Sequence, residues 1–180
     1  MGYIGNSPAL NESVDTAQLK SPLTGDLAIG GDLSVTGSGL NTPSFFVTLA
    51  SAQSINHDTW TKLGFDTVAW DTDSAFASNK FTVPADEGGK YLFCASILYE
   101  HIDDAEVGQL VLYKNGAWTN WAYSNKYSPL TAGQSTPVLV TILSLSATDY
   151  MELYTYHNEG SANTAHNDYT FFAGYKLAGV

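Results

Sequence analysis

The strongest constraint in this chain is an alternation with a period of two. From Tyr91 to Tyr99, the odd positions are Tyr91, Phe93, Ala95, Ile97 and Tyr99, and the even ones are Leu92, Cys94, Ser96 and Leu98. Successive side chains of a strand point to opposite faces, so both faces of this segment are predicted to be covered. Similar short runs, rich in Val, Thr, Tyr, Phe and Leu, alternate with Gly, Asn, Asp and Pro from Ser44 to the end. They predict strands over 45–50, 65–70, 80–83, 91–100, 108–113, 138–145, 150–156 and 170–177. No segment carries a sustained helical stripe. Lys114-Asn115-Gly116-Ala117 is a turn, because Asn and Gly tolerate positive φ. The expectation is an antiparallel all-β sandwich, completed by an extended N-terminal segment.

That segment differs in composition. Residues 1–43 are short of large apolar side chains, and Phe45, Phe46 and Val47 then open a head domain at 44–180. Gly25-Asp26-Leu27-Ala28-Ile29 is echoed by Gly31-Asp32-Leu33-Ser34-Val35. Two short repeats cannot bury a continuous apolar face alone, whereas three chains side by side supply six copies. Leu27, Ile29, Leu33 and Val35 are therefore expected to face inward in a trimeric stalk, with Tyr3 and Ile4 in the anchor; a flexible linker is the alternative.

Charge and composition exclude several functions. The 180 residues hold 7 Lys and no Arg against 18 Asp and Glu, for a net charge of −11. Nucleic acid is a poor partner for such a chain. No run approaches the ~20 apolar residues of a membrane helix, so no membrane insertion is expected, and the first residues show no secretory signal. Cys94 has no second cysteine to pair with and is expected to be a buried, inert thiol.

Within the strand at 150–156, Met151 and Leu153 suit a core, while Tyr150, Tyr154 and Tyr156 surround Glu152 on the other face. A tyrosine row on an outward face suits a subunit interface, since the rings are apolar and their tips can hydrogen-bond. Tyr91 and Tyr99 are assigned to the same interface.

Gly89-Lys90-Tyr91-Leu92-Phe93, following Phe81-Thr82-Val83-Pro84, resembles the "F-T-x-P, G-x-Y-x-F" passage of the globular head of complement component one, subunit q. Val138-Leu139-Val140 through Thr148-Asp149-Tyr150-Met151-Glu152-Leu153 is similar to that family's apolar strand, turn and next strand. Phe172-Ala173-Gly174-Tyr175-Lys176-Leu177 matches its closing "F-x-G-x-x-L". The resemblance covers about 44–178 and implies a jelly roll shared with tumour necrosis factor, assembled as a tight homotrimer. Two departures stand out: Thr148-Asp149 replaces the usual Gly-Asp, and no collagen-like stalk is present. The opening Gly2-Tyr3-Ile4-Gly5-Asn6-Ser7-Pro8, with Gly-Asp-Leu-x-Val-Thr-Gly, resembles fibre and capsid decoration proteins of marine tailed bacteriophages. It implies a virion surface protein, assembled in the bacterial host cytoplasm and docked on another virion protein through its N-terminal segment.

The segment 118–127 reads as an aromatic loop. Its Trp118, Asn120, Trp121, Tyr123 and Tyr127 suit a host cell-surface glycan, with rings stacking on sugar faces and amides reading hydroxyls; packing against the sandwich or a neighbouring subunit is the alternative. His157, Asn158, His166 and Asn167 form a second polar candidate. The four histidines each lie near an acid or amide, His101 with Asp103 among them, and such groups could bind a divalent cation at a trimer apex; polar loop chemistry is the favoured reading because no spacing matches a metal loop, so neither metal nor cofactor is expected. The nucleophile elbow and the helical histidine pair of two hydrolase classes are absent. Asp103, Asp104, Glu106 and Glu152 are available for sugar-bond cleavage, but carboxylates on an acidic chain are usually solvated, and the expectation is a non-enzymatic adhesive knob. Two alternatives remain: a tail-fibre tip that cleaves polysaccharide, and a secreted lectin or cytokine-like trimer.

Overall fold

The computed structural model describes residues 42–103, 105–127 and 133–177, with only the backbone of Trp121 and Tyr127. The anchor and stalk assignments to Tyr3, Ile4, Leu27, Ile29, Leu33 and Val35 lie outside the described residues. The rest is an all-β sandwich of two antiparallel sheets. The first sheet takes β1 (Ser44–Thr48), β2 (Gln53–Ile55), β4 (Thr67–Asp71), β7 (Gly89–Ile102), β10 (Gly133–Ser135), β11 (Val138–Leu145) and β13 (Asn163–Lys176). The second takes β3 (Thr61–Lys62), β5 (Phe76–Ala77), β6 (Lys80–Thr82), β8 (Val107–Lys114), β9 (Ala117–Tyr127) and β12 (Tyr150–His157).

The alternation read in β7 sets the core. Tyr91, Phe93, Ala95, Ile97 and Tyr99 are all fully buried between the sheets. Met151 and Leu153 meet them from β12, and Leu110 and Leu112 from β8. Phe45, Phe81, Phe93 and Phe172 form the aromatic centre; the Phe45 ring stacks on Phe81 at 4.8 Å and meets Phe172 edge-on at 4.9 Å. Gly174 lets β13 pass this cluster, because a Cβ there would lie 2.7 Å from Phe93 Cδ1 and 2.9 Å from Phe45 Cε1. The glycine of the closing F-x-G-x-x-L segment is thus required by packing.

Asn115 and Gly116 both take positive φ, 53° and 77°, as a tight hairpin between β8 and β9 requires. The Asn115 side chain donates to Asp149 Oδ1 at 2.7 Å and accepts from the Tyr150 N–H at 2.8 Å, which clamps this hairpin to the turn before β12. Burial pushes the Asp149 carboxyl up, but Lys114, Asn115 and the Ser146 N–H prevail and hold it at about 2. Thr148 stands at φ 71°, so the residue that replaces the resemblance's glycine occupies a left-handed position unfavourable to a β-branched side chain.

Three assignments from the sequence are corrected here. Tyr91 and Tyr99 cannot face another subunit, because their rings lie inside the sandwich with their hydroxyls used in the same chain. Tyr91 donates to the Glu87 carbonyl at 2.6 Å; Tyr99 donates to the Tyr156 carbonyl at 2.8 Å and touches the Thr155 hydroxyl. Burial pushes both phenols well above their ordinary range. His157 is likewise fully buried, with Nε2 donating to the Ile55 carbonyl at 2.9 Å, and cannot read a receptor. The error has one cause: a polar-tipped side chain at an inward position looks the same in sequence as one at an outward position.

Gly174→Ala is expected to cost about 1–3 kcal/mol through overpacking, measurable as a lower denaturant midpoint with an unchanged slope. Burial lowers the His157 pKa from its ordinary 6.5. The unfolded chain therefore takes up this proton first, so the His157 contribution is present above about pH 6.5 and is lost as pH falls below it. Wild-type Tm should drop more between pH 7 and pH 5 than that of His157→Gln; equal drops would place the responsible proton elsewhere.

Candidate functional site

The outer face of the six-stranded sheet is aromatic. Tyr154 on β12, Val111 on β8 and Tyr123 on β9 share one register row, and Glu152, Tyr113 and Trp118 share the next. Cross-strand partners point to the same side, so these side chains form one surface. Trp118 is at its centre: its ring lies 4.7 Å edge-on from Trp60, 5.6 Å from Tyr123 and 6.1 Å from Tyr113. Tyr113 packs on Tyr154 at 4.1 Å, and Trp60 on Tyr156 at 5.1 Å. Six rings thus touch in a continuous platform.

Polar groups border it. Lys62 Nζ lies 2.6 Å from Glu152 Oε1, and the Tyr156 hydroxyl donates to Asp58. Lys80 sits over the Tyr150 ring at 4.5 Å. The hydrogen bond to Asp58 raises the Tyr156 phenol, while burial and then the Glu152 charge raise that of Tyr154. Both remain protonated donors at neutral pH. Half-exposed Trp118 and Tyr123, at 40% and 41%, offer ring faces, and the neighbouring hydroxyls and charges offer hydrogen bonds. That combination suits a ligand with apolar faces and many hydroxyl groups.

The structure divides the sequence candidates. Trp118 and Tyr123 join the platform together with Tyr154 and Tyr156. The segment carrying them is a strand, β9, not a loop. Asn120 is exposed on β9, while the side chains of Trp121 and Tyr127 lie outside the described set. Asn158 is committed to the fold, its Oδ1 accepting the Val107 N–H at 2.7 Å. His166 and Asn167 belong to β13 on the other sheet and cannot serve the same site; Asp168 N–H donates to His166 Nδ1 at 3.2 Å. Sequence reasoning missed Trp60 and Tyr113. Trp60 precedes the two-residue β3, which pairs with β12 about ninety residues away, and nothing local signals that encounter.

A second group was scattered in sequence. His101 Nε2 lies 3.0 Å from Asp103 Oδ1 and 3.4 Å from Glu159 Oε1. These residues come from the end of β7 and the β12–β13 connection, and no motif spacing links them.

The outer face of the seven-stranded sheet has different chemistry. Trp70, Phe46, Ala173, Cys94 and Val140 lie in one register row across β4, β1, β13, β7 and β11. Flanking rows add Leu92, Ile142 and Tyr175 on one side, and Ser96, Phe171 and Val138 on the other. Val138, Val140 and Ile142 are each more than half exposed, as are Val68 and Trp70. Cys94 is half-buried on this face, and burial raises its thiol pKa.

No family model matches the chain, and no curated protein does. Solved structures do match. The globular domain of zebrafish complement 1qA protein aligns with a TM-score of 0.55 at 14% identity, covering 75% of this chain and 97% of that one. Murine APRIL at pH 5.0 gives 0.56 at 14%, covering 74% and 98%. Eiger TNF from S. frugiperda gives 0.55 at 16%, covering 76% and 92%. The two-sheet jelly roll of residues 44–177 is therefore the fold of complement-head and tumour-necrosis-factor domains.

Proposed function

We propose that this chain is a homotrimeric recognition head that performs no chemistry. Three copies meet through the outer face of the seven-stranded sheet, and the platform centred on Trp118 is left outward for a glycan. The row Trp70, Phe46, Ala173, Cys94 and Val140 carries this reading. It is a flat, mostly apolar surface running from one edge strand to another, larger than scattered surface residues require. Burying the exposed halves of Val68, Trp70, Val138, Val140 and Ile142 is worth roughly 1 kcal/mol each. The two ends of the row differ, Trp70 at one and Val140 at the other. That suits a head-to-tail contact closed into a ring, and the fold resemblance supports closure at three.

The tyrosines at Tyr150, Tyr154 and Tyr156 are better suited to a wet ligand than to a dry interface, because hydroxyls, Lys62, Glu152 and Asp58 border them. The absence of catalysis is part of the proposal and is supported by the ion pair that neutralises Glu152 on that face. Virion placement, assembly in a bacterial cytoplasm and docking on another virion protein rest on the first 43 residues alone. Labelled antibody on intact particles tests them. A second reading, a secreted lectin or cytokine-like trimer, is favoured by the fold likeness to Eiger TNF and uses the same trimer face.

Sedimentation at micromolar concentration should show a trimer for the native chain and for Tyr154→Asp, and a monomer for Val140→Asp; the reverse pattern would move the interface to the aromatic face. On a glycan array the native trimer should bind, and Trp118→Ala should lose about fivefold or more of that binding, as the removal of a stacking ring of about 1–3 kcal/mol implies. An array with no signal, or a Trp118→Ala signal equal to the native one, would sink the glycan assignment. Reducing-end release from the bound glycan should remain at background.

A further inference from the structure

We propose that His101, Asp103 and Glu159 hold a divalent transition-metal ion of the zinc type, with Glu106 beside them. The ligand atoms of the first three lie within 4.8 Å of one another. Metal–ligand bonds of about 2.1 Å at a tetrahedral centre place neighbouring donor atoms about 3.4 Å apart. The His101–Glu159 and His101–Asp103 separations of 3.4 and 3.0 Å are close to that edge.

The group is built from the fold rather than left on a flexible surface. The Glu159 side chain is only 7% exposed. Asn163, itself buried, donates from Nδ2 to Glu159 Oε2 and to the His101 carbonyl, leaving Oε1 turned to the histidine. Partners of this kind orient metal ligands and fix their geometry. Asp103 and Glu106 are joined by a turn in which the Glu106 N–H donates to the Asp103 carbonyl at 3.2 Å.

An independent observation points to a cation. Glu106 Oε2 is buried and has no hydrogen-bond partner among the described residues. An orphaned buried carboxylate oxygen is costly, and a cation removes that cost. Burial raises the Glu159 carboxyl; His101 opposes this, while the charges of Asp103 and Glu106 add to it. Two carboxylates, of Asp103 and Glu159, thus lie against one imidazole, and the Glu106 charge acts on the second of them. The lysine ion pairs of the described residues are made elsewhere, by Lys62, Lys114 and Lys176. Imidazole nitrogen with two or three carboxylate oxygens favours zinc-like ions; calcium takes six to eight oxygen ligands. The site draws its ligands from one chain and shares no residue with the aromatic platform or with the row Trp70, Phe46, Ala173, Cys94 and Val140.

Calorimetric titration of the full, tag-free chain with zinc chloride tests the assignment, with calcium chloride as the second arm. One zinc ion per chain is expected, together with a zinc-dependent rise in Tm. His101→Ala, at a half-exposed position, should fold normally and lose tenfold or more in zinc affinity, and the Tm response with it. Glu159→Gln should do the same, while His166→Ala should bind zinc as the native chain does. No saturable zinc binding would overturn the site in favour of a proton-bridged His101 ion pair. Calcium bound in preference to zinc, or zinc binding unchanged in His101→Ala, would overturn it as well.

Discussion

The whole structure depends on a strand that must be covered on both sides. One face of β7 packs Tyr91, Phe93, Ala95, Ile97 and Tyr99 into the sandwich, and the opposite face presents Leu92, Cys94, Ser96 and Leu98. The first set is satisfied within one chain by the second sheet. The other set is covered only in part: Ser96 and Leu98 are buried, while Leu92 and Cys94 remain half-exposed beside Val140 and Ile142. A sheet with one dry face and one wet face carries polar residues outward. Here most of the outward residues are apolar from β4 to β11, so the same alternation that makes the core also makes a surface that water covers poorly.

The strands with regular alternation were legible in the sequence. β1, β7, β11 and β12 appear within a few residues of the expected bounds, because each alternates without interruption and is bounded by turn residues. Irregular strands were not. β9 contains a shift of register opposite Val111 and Tyr113, which breaks the period around Asn120 and made an aromatic strand look like a loop. β13 is one strand from Asn163 to Lys176, yet its register slips between His166 and Phe171, with Tyr169 at φ 62°. The sequence accordingly suggested a strand only from 170, with His166 and Asn167 as polar candidates before it. Bulges change which face a residue occupies without altering local composition.

Site residues were legible only in part, for a related reason. Trp118 and Tyr123 stood out as large aromatic residues beside amides, but their partners Trp60 and Tyr113 arrive through β3 and β8. Tertiary register, not spacing, brings them together. His101 and Glu159 are more than fifty residues apart in sequence and meet because β7 and β12 end at the same side of the sandwich. Tyr91, Tyr99 and His157 were misplaced in the opposite sense. Their polar tips suggested a surface, although a hydroxyl or imidazole can be buried at little cost when a carbonyl of its own chain receives the proton.

The two outer faces differ in chemistry, and the proposed function divides assembly from recognition along that difference. Valine, isoleucine and phenylalanine gain from contact with any apolar surface, and they gain most when the partner is flat and excludes water completely. Tyrosine and tryptophan beside Lys62, Glu152 and Asp58 gain from a partner that leaves each hydroxyl and charge a hydrogen bond, which a second copy of a dry sheet cannot provide. Placing both chemistries on one sheet would force a compromise: the interface would trap unpaired polar groups, or the ligand would meet an aliphatic wall. The sandwich avoids it because β7 and β12 belong to different sheets, whose outer faces point away from each other. Under the proposed assembly through one face the other stays free, and a ring of three copies would repeat the aromatic platform three times at fixed spacing, which would strengthen attachment to a repetitive surface without any new contact.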